Sequence, residues 1–218
     1  MTTIDGTRAD GRRLRGDRSR RAVLDRAVQA ASVDGLDGLT FGSLAAAAPV
    51  NKSGIAGLFG SKEGLQLATV AHAREVFRQS VVVPAQDGER GLATLWRTVV
   101  AWTDYSHDRV FAGGCFFRAA ATELDARATG PVRDAVVAAL RDWDAYVAGL
   151  VRDAVARGEL AEGTDADQVV FQVDAALDRA DLASVLLGDP DAYGRALAAV
   201  RSTLVAAGAD GDVLAVGR

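Results

Sequence analysis

The sequence predicts an all-α fold in two parts, an N-terminal three-helix domain and a larger helical C-terminal domain, joined by one long connecting helix. Three observations carry this. Apolar residues recur at i, i+3, i+4 and i+7, the spacing that places them on one helix face. Capping residues precede these stripes, and glycine or proline follows them. No stretch alternates apolar and polar residues with the period of two that a half-buried strand requires.

Residues 1–17 are rich in Gly, Arg and Asp with almost no apolar content, which predicts a flexible basic arm. A first helix follows from about Ser19 to Asp34, with Leu24, Ala27, Val28 and Ala31 as its buried face and Gly35 at its end. Thr40 caps a second helix over Phe41 to Ala47, with Leu44 and Ala45 inward, and Pro49 cannot continue it because it lacks an N–H. Asn51 caps a third, from Lys52 to Phe59; Ile55, Leu58 and Phe59 are apolar, leaving Lys52, Ser53, Ala56 and Gly57 on the other side. Ser61 caps a long fourth helix that starts at Lys62. Residues 18–64 thus read as a domain with a helix-turn-helix, a pattern that ordinary pairs of short helices also produce.

Residues 65–207 continue as helices punctuated by loops. The fifth runs from about Glu89 to Ser106, with Leu92, Leu95, Trp96, Val99 and Thr103 at helical spacing. Gly113-Gly114 opens a loop before a short sixth helix, Cys115 to Asp125. Pro131 starts a seventh, with Val132, Val136, Trp143, Val147, Leu150 and Ala154 as its stripe. Thr164 or Asp165 caps the eighth, about Ala166 to Leu187, which Gly188 stops. Asp189-Pro190 opens a ninth reaching about Ala207, and residues 208–218 read as a flexible tail.

The net charge of −4 conceals a split. Residues 1–65 hold 10 Lys/Arg against 7 Asp/Glu, a net of +3, whereas residues 66–218 hold 15 against 22, a net of −7. Such asymmetry points to a polyanionic partner for the basic end; a solvated tail is the alternative. No apolar run of about 18 residues is present, and the N-terminal arginines precede no apolar stretch, so a cytoplasmic protein with no membrane partner is expected. A single cysteine, Cys115, excludes an intramolecular disulfide and a multi-cysteine zinc site, and reads as a small core residue with a redox sensor as the alternative. His72 and His107 stand apart from any ligand spacing. Neither an enzyme nor a cofactor or metal site is expected.

The stretch from Thr40 to Leu65, TFGSLAAAAPVNKSGIAGLFGSKEGL, resembles the DNA-binding domain of the TetR (tetracycline-repressor) family. Val50, Lys52, Ile55, Phe59, Ser61, Lys62, Glu63 and Leu65 stand where the family pattern places them. A less specific likeness extends over Gly113 to Phe117, Pro131 to Arg133, Gly158 to Leu160 and Leu187 to Pro190. Two residues depart from the pattern, Pro49 in place of a glycine and Ala56 in place of an aromatic. The resemblance implies a DNA-binding transcriptional regulator, a repressor in most of the family, released from its operator by a small organic effector. Its C-terminal domain would bind that effector and form a homodimer. Gly54 and Gly57 inside the third helix each cost about 1 kcal/mol relative to alanine, so a helical ligand-binding protein with a vestigial DNA surface is the alternative. A purely structural helical dimer is a further one.

Lys62 lies in the first turn of the fourth helix, where free N–H groups and the helix dipole favour an anion, and reads as a phosphate anchor on double-stranded DNA. Thr40 reads as a phosphate contact or simply a cap, and Asn51 caps the third helix. Lys52 and Ser53 open that helix and would reach base edges, Lys52 donating to guanine; an ordinary solvated lysine is the alternative. Gly57 would allow close approach to the groove wall.

Tyr193, Leu197, Val200 and Leu204 fall at i, i+4, i+7 and i+11, a narrow apolar seam that suits either a partner helix or the chain's own core. The resemblance implies an isologous four-helix interface built with the eighth helix. Trp102, Tyr105, Phe116, Phe117, Trp143, Tyr146 and Phe171 concentrate aromatic surface where the resemblance places the effector. Trp102, Phe117, Trp143 and Tyr146 are the expected cavity lining. Asp174, Asp178 and Asp181 fall at i, i+4 and i+7, and three like charges on one face must meet counter-charges, water or a cationic ligand. Ion pairs at or beside the dimer interface, with arginines such as Arg179, are the first expectation.

Overall fold

The computed structural model describes residues 5–47 and 50–215, with side chains over 16–46 and 50–215. Its helices are α1 (Asp5–Asp34), α2 (Phe41–Ala47), α3 (Lys52–Phe59), α4 (Lys62–Phe77), α5 (Leu92–His107), α6 (Phe116–Leu124), α7 (Pro131–Ala156), α8 (Ala166–Leu187) and α9 (Ala192–Ala206). Among the described residues there is no strand.

Side-chain caps set the starts of α2, α3, α4 and α8. Asn51 Oδ1 accepts from the Gly54 N–H at 2.8 Å, Ser61 Oγ from the Gly64 N–H at 2.9 Å, and Thr40 Oγ1 from the Ser43 N–H at 3.0 Å. Asp165, rather than Thr164, caps α8, and Gly188 closes it in the left-handed conformation at φ 66°. The ninth helix begins two residues later than expected, because Asp189 Oδ1 accepts from the Asp191 N–H at 3.0 Å in a local turn instead of capping the helix.

Three other boundaries differ from expectation. The segment expected to be a flexible arm is helical from Asp5 onward, continuous with α1. It holds no proline, arginine is a good helix former, and Arg13, Asp17 and Arg21 follow one another at i, i+4 spacing. The expected tail is pinned: Leu214, in a 3-10 turn over Val213–Ala215, is 2% exposed, and Ala209 is also buried. Apolar burial offsets the entropy of ordering it. Finally, α4 does not stop at Phe77. It runs on through a π-helical turn, Arg78–Val82, into a last α-turn, Val83–Ala85. Pro49 lies outside the described residues.

The N-terminal unit packs Val23, Leu24, Ala27, Leu39, Leu44, Ile55, Phe59 and Leu65 together, in a core continuous with that of the larger unit. In the larger unit α5 is central, burying Leu92, Leu95, Trp96, Val99, Trp102 and Tyr105 among α4, α7 and α8. The pair α8–α9 forms an outer helical hairpin. Gly113 is required by close packing, since a Cβ there would overlap the Ser32 carbonyl oxygen of α1. Together with Gln29, whose amide donates to the Val110 carbonyl at 2.8 Å and accepts from the Ala112 N–H at 2.9 Å, this fastens the α5–α6 loop to α1.

Candidate DNA-binding surface and ligand cavity

At the N-terminal end, the polar side of α3 faces solvent. Asn51, Lys52, Ser53 and Gly57 are exposed, as are Thr40 and Lys62. Asn51 serves as the cap and also accepts from Ser53 Oγ at 3.0 Å. Nothing lies within 4 Å of a Cβ built on Gly57, so the surface is open there. Lys62 Nζ donates to the Asp37 carbonyl at 2.6 Å, which leaves its other two protons facing solvent. Gly64 must lack a side chain, because a Cβ would overlap the Phe59 carbonyl where α4 leaves α3.

One residue of this surface escaped sequence reasoning. Arg20 donates to the Leu58 carbonyl at 2.6 Å, and its guanidinium lies 4.5 Å from the centre of the Phe59 ring. An arginine thus satisfies the C-terminal end of α3 and offsets its dipole, compensating for a short helix with two glycines. The sequence shows only one arginine among many.

Deeper in the chain a cavity of about 770 Å³ opens between α4, α5, α6, α7 and α8. Trp102, Phe117, Trp143 and Tyr146 all line it. Phe77 is the aromatic that sequence reasoning missed: its ring meets those of Tyr105 and Trp143 at 5.3 Å and Phe117 at 6.0 Å, edge to face in each case. The π-turn begins one residue later, and its Arg78 and Val82 also face the cavity. Phe171 belongs elsewhere, being 70% exposed on the outer side of α8. Tyr105 and Phe116 are core.

The three aspartates of α8 separate into three environments. Asp181 is fully buried and accepts from Ser106 Oγ at 2.5 Å and the Cys115 N–H at 2.9 Å, while pairing with Arg118 of α6. Its counter-ion is therefore Arg118 and not Arg179. Asp174 faces the cavity and accepts from Trp143 Nε1 at 2.9 Å; burial, against that hydrogen bond and with help from neighbouring Asp144, pushes its carboxyl up to about 7. Asp178 sits at the rim, where desolvation by surrounding protein raises its carboxyl against the pull of Arg118. The Cys115 thiol is buried and pushed up to about 11 by desolvation, which keeps it protonated and unreactive.

The expected seam on α9 is corrected by the structure. Tyr193, Val200 and Leu204 are buried in the chain's own core and Leu197 is half-buried. Tyr193 is held there by hydrogen bonds to Ser106 Oγ at 2.8 Å and Arg109 at 3.1 Å. On these two helices the unburied large apolar residues are Phe171, Leu182, Val185, Leu186 and Leu187 of α8 and Val205 of α9; Val33 and Val83 are exposed elsewhere.

Residues 91–200 match the family model described as the tetracyclin repressor-like C-terminal domain. The chain belongs to the TetR family of transcriptional regulators. A TetR regulator from Chloroflexus aurantiacus superimposes with a TM-score of 0.80 at 26% identity, over 88% of this chain and 96% of that one. TetR-family regulators from Agrobacterium tumefaciens (18% identity, 88% and 98% covered, TM-score 0.74) and Streptomyces fradiae (tylp; 22%, 94% and 85%, 0.67) share the fold. No curated protein matches the chain. As a TetR-family regulator it is a DNA-binding protein, and the likeness covers both the helix-turn-helix and the cavity-bearing domain. Among the described residues no helix is long and apolar enough to cross a membrane.

Proposed function

We propose that this TetR-family chain is a homodimeric repressor that leaves its operator when a small organic molecule fills the cavity between α4 and α8. The observation that carries this reading is the double role of α6. Its Phe117, Arg118, Ala121 and Thr122 line the cavity, and one residue further on Glu123 reaches the DNA-binding unit. Glu123 accepts from the Leu36 N–H at 2.6 Å and the Asp37 N–H at 2.9 Å, in the turn that leads into α2. Arg127 completes the contact by pairing with Asp37. A ligand that shifts α6 therefore acts on the helix-turn-helix directly, as well as through α4.

On DNA, Lys62 contacts phosphate and Lys52 and Ser53 read base edges, with Thr40 and Asn51 shaping the approach and Gly57 admitting the groove wall. The dimer forms through the outer faces of α8 and α9. Phe171, Leu182, Val185 and Leu186 recur at i, i+11, i+14 and i+15 on one helix face, which Asp178 interrupts at i+7, and such a cluster of exposed apolar residues is rarely left to solvent. A second copy of the chain suits it because two-fold pairing presents two recognition helices to two half-sites.

Selection of DNA by the purified protein from a random pool tests this reading. Two half-sites about one helical turn apart are expected. Recovery of no preferred sequence overturns it and favours a ligand-binding protein without DNA function.

A further inference from the structure

The half-open cavity has aromatic walls. Trp143 and Tyr146 approach each other at 6.3 Å, and Phe77 joins Trp143 at 5.3 Å. Ring faces of this kind stabilise a cation by their quadrupole as well as by apolar contact.

The charged groups around those rings are not balanced. From α4, Arg74 is bound to Asp142 of α7 at 2.5 Å, and Arg78 of the π-turn to Glu75 at 3.0 Å. From α6, Arg118 is taken by the buried Asp181. Each arginine of the lining thus already has a carboxylate. Three carboxylates remain on the α7–α8 side: Asp144, Asp174 and Asp178. Asp144 and Asp174 lie within hydrogen-bonding reach of each other and both carboxyls are raised, by burial first. Two acids held together without a cation share a proton, and their second charge is suppressed. Within the cavity an anionic ligand would meet three acids and no uncommitted arginine; Arg152 of α7 lies outside it, on the neighbouring groove that the same three acids also line. A neutral one would leave the pair as it is.

We infer that the cavity binds a hydrophobic organic cation, an aryl amine or quaternary onium compound, with its charge on the Asp174–Asp144 carboxylates and its apolar body against Trp143, Phe77, Phe117 and Trp102. This rests on reading the cavity as a ligand site, and adds the charge of the ligand. Cation binding displaces the shared proton, so affinity increases as Asp174 ionises. The groups that face Asp174 and set this response are Asp144 and Trp143 on α7, Asp178 on its own helix and Arg118 beyond it, with Arg152 of α7 and Asp167 of α8 along the neighbouring groove.

Tetraphenylphosphonium and tetraphenylborate are suitable probes, since they have the same shape and opposite charge and neither titrates. Calorimetry and Trp fluorescence of the full chain without DNA report binding. The phosphonium is expected to bind and the borate to bind at least about tenfold more weakly. Phosphonium affinity should rise by roughly tenfold from pH 6 to pH 8 in the wild type and stay flat in Asp174→Asn, whose hydrogen bond from Trp143 is retained. Asp144→Asn should weaken the phosphonium as well. Equal or tighter binding of the borate, binding of neither ion, or an unchanged Asp174→Asn overturns the inference. Operator affinity measured separately with each ion distinguishes the two proposals. Phosphonium binding without DNA release keeps the cation site and removes its regulatory role, whereas DNA release by the borate alone keeps regulation and removes the cation.

Discussion

Glu123 Oε2 lies 2.6 Å from the Leu36 backbone nitrogen, so a side chain on a cavity-lining helix holds the first turn of the DNA-binding unit. The bond crosses 87 residues of sequence and joins the two functional ends of the molecule. The Glu123 carboxylate accepts from two backbone donors, so the contact is a charge-assisted one.

Replacing Glu123 with alanine should separate these ends. Loss of the two hydrogen bonds is expected to lower stability by about 1–3 kcal/mol, read by urea denaturation. Ligand affinity should survive while ligand-driven release from DNA is weakened. Full release by Glu123→Ala protein would move the coupling to α4 alone.

Lys62 and Lys52 should differ in kind. Lys62→Ala is expected to weaken binding to all sequences alike and to reduce the salt slope by roughly one contact. Lys52→Ala should instead relax preference at one position of each half-site, by about 1–3 kcal/mol. Binding isotherms at several salt concentrations, with and without substituted half-sites, check both.

The apolar strip on α8 is separable from the core stripe on α9. Phe171→Glu with Leu186→Glu, at positions 70% and 72% exposed, should yield folded monomers that lose operator affinity. Leu204→Ala, at a fully buried position, should instead cost about 2–5 kcal/mol of stability in either assembly state. Sedimentation and thermal melts distinguish them. Persistent dimers in the double variant would place the interface elsewhere.

Asp174 makes stability fall with pH. Its carboxyl is raised from 3.8 to about 7 in the fold, so between those values the native state binds more protons than the unfolded chain. Stability should decline as pH rises from about 4 to about 7, by at most about 1.4 kcal/mol per pH unit for one proton, and level off above that. Asp174→Asn should therefore melt higher than wild type near pH 8 and about the same near pH 4. A gap independent of pH would contradict the raised carboxyl.

The aromatic cavity was partly legible in the sequence. Trp102, Phe117, Trp143 and Tyr146 were recognisable because large rings on helices that flank a core have few other places to go. Phe77 continues the buried face of α4 at i+7 from Val70 and i+4 from Ala73, but the sequence does not show that this face meets the rings of Trp143 and Phe117 on distant helices. The α8 aspartates were conspicuous by their spacing, but Arg118, the partner of Asp181, lies 63 residues away on another helix.

The all-α class, the caps at Asn51 and Ser61, and the spacing of the helix-turn-helix were legible in the sequence, which left the cap of α8 open between Thr164 and Asp165. These are local properties: a 3.6-residue period and a side chain that bonds an N–H two or three positions onward leave their mark within a few residues. Tertiary structure alone decided which apolar face of the α8–α9 pair is inside. Tyr193, Val200 and Leu204 make a stripe that would pack equally well on a partner, and only the position of α5 and its Ser106 commits them to the chain's own core. The same holds for the Glu123 contact and the separation of three aspartates into buried, cavity-facing and rim positions, because pairings across distant segments leave no periodic trace along the chain.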